Sequence, residues 1–275
     1  MNKHNILLKI LITFILCFNI SNAKVYNGLI EPIKRVNLSL SIDGTVSEIK
    51  IKEGAYVKKD ESILKLFDKL QSLEVKRRKV LLDDKKRLFY LQKETNIVWK
   101  IYESSKLLYK EAGSISKNEL DGYSINYYKL KSSLEELKRS KKLELIEYEL
   151  EKEKLKLYTL KAPFSGIITK IKLDVGERGR TGDAVVELVD SSTCFVEVNI
   201  PEVEVHSLSV GKTINITIKR EIEKIEEIQK NAKISYISPI ADSSSGLVLI
   251  KLEFKNKNFN IIPGILVDVE FNTNK

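Results

Sequence analysis

Residue types that could do chemistry are scarce in this chain. Beyond the apolar N-terminal segment, one histidine (His206) and one cysteine (Cys194) remain, and the only methionine is Met1. A metal site needs several clustered ligands, and Cu(I) prefers thiolate or thioether sulfur. His206 ends the run 202–206, whose alternating charges are typical of a solvated surface. The sequence therefore predicts no catalytic residue, no metal site and no bound cofactor.

Nucleotide and nucleic-acid binding are also disfavoured. Gly176, Gly179 and Gly182 match neither the dinucleotide-binding pattern nor the P-loop pattern. The formal net charge is +9, of which Lys3 and Lys9 contribute two. The remaining lysines alternate with glutamates and form no basic stripe interleaved with aromatic residues. We therefore expect no nucleic-acid partner.

The most informative pattern is a repeat at an offset of 122 residues, which aligns without a gap. The first copy contains Gly44, Thr45, Val46, Ile49, Ile51, Gly54, Ile63, Leu66 and Asp68, and the second contains Gly166, Ile167, Ile168, Ile171, Leu173, Gly176, Val185, Leu188 and Asp190. The apolar positions favour short strands, and Gly54 and Gly176 mark turns. A repeat this short cannot bury its own apolar face, so the two copies are expected to pack together.

This pair of copies resembles the two halves of a biotinyl/lipoyl domain. Residues 161–166, Lys-Ala-Pro-Phe-Ser-Gly, resemble the alanine-proline-phenylalanine-x-glycine signature of the periplasmic adaptor subunits, also called membrane fusion proteins (HlyD/AcrA-like). A lipoyl or biotinyl carrier is the weaker alternative. Carriers modify a lysine on a tight turn between the two halves, and Lys69 falls near that place. However, Lys69 is predicted to open a long helix, and no Met-Lys-Met motif surrounds it.

Helical heptads separate the two copies. Apolar residues recur at heptad spacing in residues 69–112 and 119–158, which predicts a coiled coil. The rows of the second stretch are Leu120, Tyr127, Leu134, Tyr148 and Leu155, interrupted at Lys141, and Tyr123, Leu130, Leu137 and Tyr158, interrupted at Glu144 and Glu151. The short break between the stretches predicts an antiparallel hairpin. Helices of about 42 residues extend on the order of 60 Å.

The connection between the two helices carries a second resemblance. Gly113 suits the end of the first helix, and Ser116 with Glu119 has the spacing of a capping box. Residues 115–121 are similar to the hairpin tip with which adaptors contact their channel. The resemblance implies a contact site made of Tyr109, Gly113, Ser114, Ile115, Ser116, Lys117 and Leu120. Tyr109 and Ser105 stand where the family has leucine and arginine, and capping alone would account for Ser116.

The chain after Asp190 alternates between apolar and polar residues in five segments, which predicts a small antiparallel barrel or sandwich. Residues 221–230 form a charged insert with helical character. Adaptors usually continue into a membrane-proximal domain. Only residues 24–32 could supply a strand or two of one, so the resemblance implies a truncated or minimal adaptor.

The N-terminal residues have the pattern of a secretory signal peptide. Lys3 and Lys9 are followed by an apolar run, residues 10–18, and by a small-x-small site at residues 21–23. Cleavage after Ala23 would place the protein in the periplasm, and an uncleaved anchor is the alternative. Cys194 is the only cysteine after this segment, so no intramolecular disulfide is expected.

The predicted fold class is mixed α/β, modular and elongated. It combines a split biotinyl/lipoyl-like β domain, an inserted long antiparallel α-helical coiled-coil hairpin, and a small antiparallel β-barrel. The predicted division is 1–23 signal peptide, 24–34 N-terminal strand, 35–67 first lipoyl-like half, 68–158 hairpin, 159–190 second half and 191–275 barrel.

The resemblance implies a non-enzymatic linker with three kinds of partner: an inner-membrane transporter, an outer-membrane TolC-like channel and further copies of the same chain in a hexameric ring. A proton-driven transporter of the resistance-nodulation-division (RND) type is favoured. An adaptor of an ABC-type exporter or a type I secretion system is the alternative, and a periplasmic scaffold unrelated to transport is a third possibility.

Overall fold

The computed structural model of the protein describes residues 23–111, 113–221 and 225–272, so the predicted signal peptide lies outside it except for Ala23. The strands are β1 (Ala23–Ser39), β2 (Gly44–Ile49), β3 (Tyr56–Val57), β4 (Ser62–Leu66), β5 (Thr159–Lys161), β6 (Gly166–Ile171), β7 (Arg178–Gly179), β8 (Ala184–Pro201), β9 (Thr213–Glu221), β10 (Ile225–Ala241), β11 (Leu247–Lys255) and β12 (Leu266–Asn272). The helices are α1 (Lys69–Asp83), α2 (Lys86–Glu111), α3 (Lys117–Lys156) and α4 (Glu202–Val205). Within these ranges, no helix combines the length and the apolar character that a membrane span requires.

The two copies of the repeat form one module, as the gapless alignment predicts. Strand β3 of the first copy pairs with β6 of the second, and β2 of the first pairs with β7 of the second. The amide of Gly54 donates to the carbonyl of Ile168 at 2.7 Å, and the equivalent amide of Gly176 donates to the carbonyl of Val46 at 2.9 Å. Both glycines have positive φ, 82° and 94°, which other residues rarely adopt. Each copy therefore completes the hydrogen bonding of the other.

The core of this module draws on both copies. Its fully buried side chains include the matched pairs Val46 and Ile168, and Leu66 and Leu188. Residues from both ends of the repeat complete it: Leu38, Leu40, Val57, Ile63, Leu64, Ala162, Val185 and Val186. Neither copy could bury these side chains alone, because residues of both copies cover them.

The second β unit is a closed six-stranded antiparallel barrel. Its strand order is β1-β12-β9-β10-β11-β8, and pairing of β8 with β1 closes the circle. Inward-facing side chains fill it, among them Ile30, Val198, Ile216, Ile250 and Phe271. Closure removes the free strand edges that a sandwich would leave, so the barrel is the correct alternative. Residues 225–230 belong to β10, so the helical character expected for them is wrong; residues 222–224 lie outside the described part.

Two long strands connect the barrel to the module without a linker. Strands β1 and β8 pair antiparallel from Gly28 opposite Val198 to Ser39 opposite Ala184. The barrel end of this ladder pairs with β12 and β11, and the other end of β8 pairs with β6 of the module. Two irregularities interrupt the ladder, one between Pro32 and Lys34 and one between Leu38 and Ser39.

The helices inserted between the two copies run antiparallel. Near their base, the Nε2 of Gln71 donates to the carbonyl of Glu151 at 3.0 Å. Farther out, the rings of Tyr102 and Tyr127 stack with centroids 5.8 Å apart. Because residue numbers rise on one limb as they fall on the other, α3 returns along both α1 and α2.

The first limb is two helices, whereas the heptads predicted one. The chain leaves the helical conformation at Asp84, where ψ is 96°. Carboxylates at 83 and 84 are unfavourable at a helix C-terminus but favourable at an N-terminus. The Asp84 Oδ1 accepts from the amide of Lys86 at 3.2 Å and so starts α2. Across the hairpin, the Nζ of Lys141 donates to the carbonyl of Leu81 at 3.0 Å, near the end of α1. The heptad interruption at Lys141 therefore lies against the break.

Candidate functional site: the hairpin tip

The tip is a short turn between α2 and α3. Gly113 has φ 57°, so it takes a left-handed conformation that favours glycine. The amide of Ser114 approaches the carbonyl of Leu108 at 3.4 Å, which caps the last turn of α2. The local sequence thus ends one helix at Gly113 and starts the next three residues later.

Ser116 caps the second helix as its spacing predicts. The amide of Glu119 donates to the Ser116 Oγ at 3.2 Å, and the amide of Ser116 donates to the Glu119 Oε2 at 2.7 Å. These two hydrogen bonds are a complete capping box. The hydrogen bond from the Ser116 backbone, followed by the one involving its side chain, holds the pKa of Glu119 below its ordinary value.

The seven residues predicted for channel contact gather at this end of the hairpin. Those of the turn and the cap, Gly113, Ser114, Ser116 and Lys117, are exposed, whereas Ile115 and Leu120 are half-buried. Tyr109 is 39% exposed on the last turns of α2. Their contact role stays a prediction.

Ser105 differs from the others, because it is 7% exposed and points into the hairpin. The residue at the position of the family's arginine therefore has no exposed side chain that could contact a partner. The nearest cation, Lys106, lies 3.7 Å from the Glu103 Oε1, with its Nζ 5.9 Å from the centre of the Tyr102 ring. The predicted contact therefore consists of Tyr109, the residues 113–117 and Leu120.

The residues that could have done chemistry are dispersed. His206 is exposed, and Cys194 is fully buried, which raises the pKa of its thiol to about 11. In the described ranges, no three His, Cys, Asp or Glu side chains gather as metal ligands would. Lys69 is exposed at the first position of α1 and lies on no turn between the two repeat copies.

Sequence reasoning missed a buried carboxylate at the barrel. Glu204, expected on the surface, is 9% exposed, and the Nζ of Lys24 lies 2.6 Å from its Oε1. Burial pushes its pKa up, but hydrogen bonds from Lys24 and then Tyr26 hold that pKa below the ordinary value. Burial, reinforced by Glu204, raises the pKa of Tyr26 to about 12. The pairing spans 180 residues of sequence, so no local pattern could indicate it.

The barrel is recognisable among known families. Residues 193–275 match the family model described as "CusB-like, beta-barrel domain". This part of the chain is similar to CusB-like β-barrel domains. The match begins within β8 and includes the strands that follow it, whereas β1, which closes the barrel, lies outside the matched residues.

Two solved structures share the fold over nearly the whole chain. MacA from Actinobacillus actinomycetemcomitans superimposes with a TM-score of 0.74 at 18% identity, covering 91% of this chain and 79% of MacA. The membrane fusion protein Spr0693 from Streptococcus pneumoniae R6 superimposes with a TM-score of 0.62 at 14% identity, covering 92% of this chain and all of the other. The chain therefore has the membrane fusion protein fold, and the resemblance seen in the sequence is confirmed at this level.

A curated relative matches this chain over only part of its own length. An uncharacterized protein of Haemophilus influenzae is 22% identical over 227 residues, which is 82% of this chain and 51% of that protein. The chain thus spans about half the length of the curated relative that it matches.

Proposed function

We propose that this protein is a periplasmic adaptor that links an inner-membrane transporter to an outer-membrane TolC-like channel. One observation carries the proposal: the chain goes out and comes back. Strands β1 and β12 pair in the barrel, while the tip of the hairpin lies midway along the chain. Both termini of the described chain are therefore held in the barrel. The middle of the chain forms the turn between α2 and α3. This is the layout of a spacer.

The transporter end is proposed to be the barrel. The model name of the matched barrel family carries the RND abbreviation, which supports an RND-type transporter. An ABC-type exporter or type I secretion system is the alternative partner. Identification of the transporter that co-purifies with this protein from membranes decides between them.

The remaining parts follow the domain division given above, with the helices 68–158 as a coiled-coil hairpin and residues 1–23 as a signal peptide or retained anchor. The adaptor acts without catalysis and without a cofactor. Copies assemble side by side in a hexameric ring that seals the conduit and couples the conformations of transporter and channel.

The channel contact is proposed to be the seven tip residues. Replacement of residues 113–117 by a glycine-serine turn removes the exposed side chains and leaves α2 and α3 to pack as before. We expect a folded protein that no longer supports efflux, measured as substrate accumulation in cells. Normal transport by this variant would show that the tip is not the docking site.

A matched control separates contact from folding. Ser116→Ala removes the cap and one of the seven proposed contact residues, leaves the other six unchanged, and should lower local helix stability by about 1 kcal/mol. If transport depends on the whole exposed turn, Ser116→Ala retains most of it.

A further inference from the structure

The ladder of β1 and β8 is irregular where the barrel meets the module. Pro32 faces Cys194, whereas Lys34 faces Asp190, so one residue of β1 stands opposite three residues of β8. An unequal count of this kind leaves residues unpaired and bends the strand locally, and Pro32 has no amide to donate to the ladder. This irregularity is therefore the place at which the barrel can tilt relative to the module.

A loop of the barrel crosses this place and is tied to both strands. We call it the strap, residues 256–264, between β11 and β12. At its start, the Nδ2 of Asn256, which is 4% exposed, donates to the carbonyl of Ser191 in the unequal segment of β8 at 3.0 Å. At its end, the amide of Gly264 donates to the carbonyl of Ile30 in β1 at 2.7 Å. The strap is thus anchored on either side of the irregularity.

The middle of the strap reaches the module through one aromatic ring. The rings of Phe259 and Tyr56 have centroids 6.2 Å apart at an interplanar angle of 60°, which is within the range of aromatic contacts. Tyr56 belongs to β3, in the first repeat copy, and pairs with Ile167 of the second. Phe259 therefore connects the barrel to both copies of the repeat without a covalent link.

Two observations indicate that this contact can open. Phe259 has φ 53°, a conformation that a bulky residue keeps only where its surroundings hold it. Tyr56 and Phe259 are 55% and 40% exposed, so their contact removes only part of each ring from water. Separation of the rings therefore exposes little additional apolar surface.

The space beside the strap allows movement. A cleft of about 340 Å³ separates strap residues, Phe259 and Ile262 among them, from Ile167 and Val189 on β6 and β8. A tightly packed boundary would leave no such space. The strap is consequently not packed against the module along its whole length.

We propose that the contact between Tyr56 and Phe259 is a releasable latch on the joint between barrel and module. With the rings in contact, the strap holds the two β units at one angle. With the rings apart, the barrel tilts about the irregularity after Pro32, as a hinge does. In the proposed adaptor, a latched joint passes barrel movement on to the module and a released joint absorbs it. That consequence rests on the proposed function, whereas the latch belongs to the single chain.

Distances between two spin labels on the purified full chain test the latch. Lys170→Cys places one label on β6 of the module, and Ser243→Cys places the other beyond β10, near the end of the barrel. Both positions are exposed, and the native Cys194 is fully buried. We expect one narrow distance distribution by double electron–electron resonance. Phe259→Ala should broaden it about twofold, because the strap then no longer holds the module.

The partner ring and a ring outside the strap give the controls. Tyr56→Ala should broaden the distribution as Phe259→Ala does, and the double variant should broaden it no further, because both changes remove the same contact. Tyr236→Ala, which removes a ring of similar exposure (42%) from β10, should leave the distribution unchanged. An unchanged distribution in Tyr56→Ala or Phe259→Ala, or equal broadening in Tyr236→Ala, overturns the proposal. No transporter or channel is present in this measurement, so its result is independent of the adaptor role.

Discussion

The chain leaves the repeat module at two positions that the repeat makes equivalent. One, the hairpin exit, leads into the helices, and the other, the barrel exit, leads into the barrel. At the hairpin exit, the amide of Leu66 donates to the carbonyl of Tyr158 at 2.8 Å. The offset of 122 residues turns this pair into Leu188 and Val36, which face each other at the barrel exit. The ladder of β4 and β5 ends there, whereas the ladder of β1 and β8 continues to Gly28 opposite Val198.

The difference shows how one repeat supports two kinds of joint. Asp68 follows β4 and lies 2.9 Å from the Nζ of Lys65, directly before α1. Its repeat partner Asp190 stays inside β8 and accepts from the hydroxyl of Ser192 at 2.6 Å. The barrel is therefore held by two continuous hydrogen-bonded strands, and the hairpin by two short connections. We expect the hairpin to change direction more readily than the barrel, since fewer hydrogen bonds must break.

The largest predicted effect is shared by both exits. Leu66→Ala and Leu188→Ala remove repeat-equivalent, fully buried side chains from the module core. Each should lower the free energy of unfolding by about 3 kcal/mol, as other large cavities do. Urea denaturation of the full chain measures this. A cost at only one of the two positions would show that the copies do not share one core.

A smaller effect separates the two exits. A Cβ on Gly166 would lie 2.5 Å from the carbonyl oxygen of Val189, in the continuing strand β8. A Cβ on the equivalent Gly44 would lie 3.0 Å from the Cδ1 of Leu66, a side chain that can shift. We expect Gly166→Ala to cost about 1–3 kcal/mol, as overpacking does, and Gly44→Ala to cost clearly less.

The same denaturation assay applies to this pair. If Gly166→Ala and Gly44→Ala lowered the free energy of unfolding equally, the continuing strand at the barrel exit would not differ in rigidity from the ladder that ends at the hairpin exit.

The far end of the hairpin should respond weakly and depend on pH. Ser116→Ala should lower the stability of α3 near the tip by about 1 kcal/mol. Because folding lowers the pKa of Glu119, its part of the cap is complete above the ordinary glutamate pKa of about 4.3 and is lost as pH falls through the lowered value. Amide exchange at residues 117–119 measures both effects. A cap equally protective in acid would contradict the role of the carboxylate.

The smallest expected effect follows removal of the hairpin. Deletion of residues 70–157, with a short turn joining the ends, leaves both β cores intact, since neither includes a residue of the deleted range. The product should stay soluble and keep a cooperative melting transition near that of the full chain. Circular dichroism and amide NMR detect the opposite result, an unfolded β part.

Much of this architecture could be predicted from local patterns. The repeat predicted the module because Gly54 and Gly176 mark equivalent turns, and alternation predicted the strands of the barrel. The capping box followed from Ser116 and Glu119 alone. Each of these features depends on residues that are close in sequence or related by one fixed offset.

The missed features depend on distant partners. The break at Asp84 contains no glycine or proline, and its signs in the sequence were the adjacent carboxylates at 83 and 84 and the heptad interruption at Lys141, on the other limb. Glu204 looked like a surface residue because its cation, Lys24, is remote in sequence. Closure of the barrel likewise requires β1 to pair with β8. The two strands are far apart in the sequence, so neither segment alone indicates the pairing.

The measurement that tests the central proposal most directly is paired co-purification from membranes of the native host. The wild-type protein should bring down an inner-membrane transporter and an outer-membrane channel, identified by mass spectrometry. The variant with residues 113–117 replaced should retain the transporter through the barrel and lose the channel. Retention of the channel by that variant, or absence of a transporter from the wild-type sample, would contradict the account.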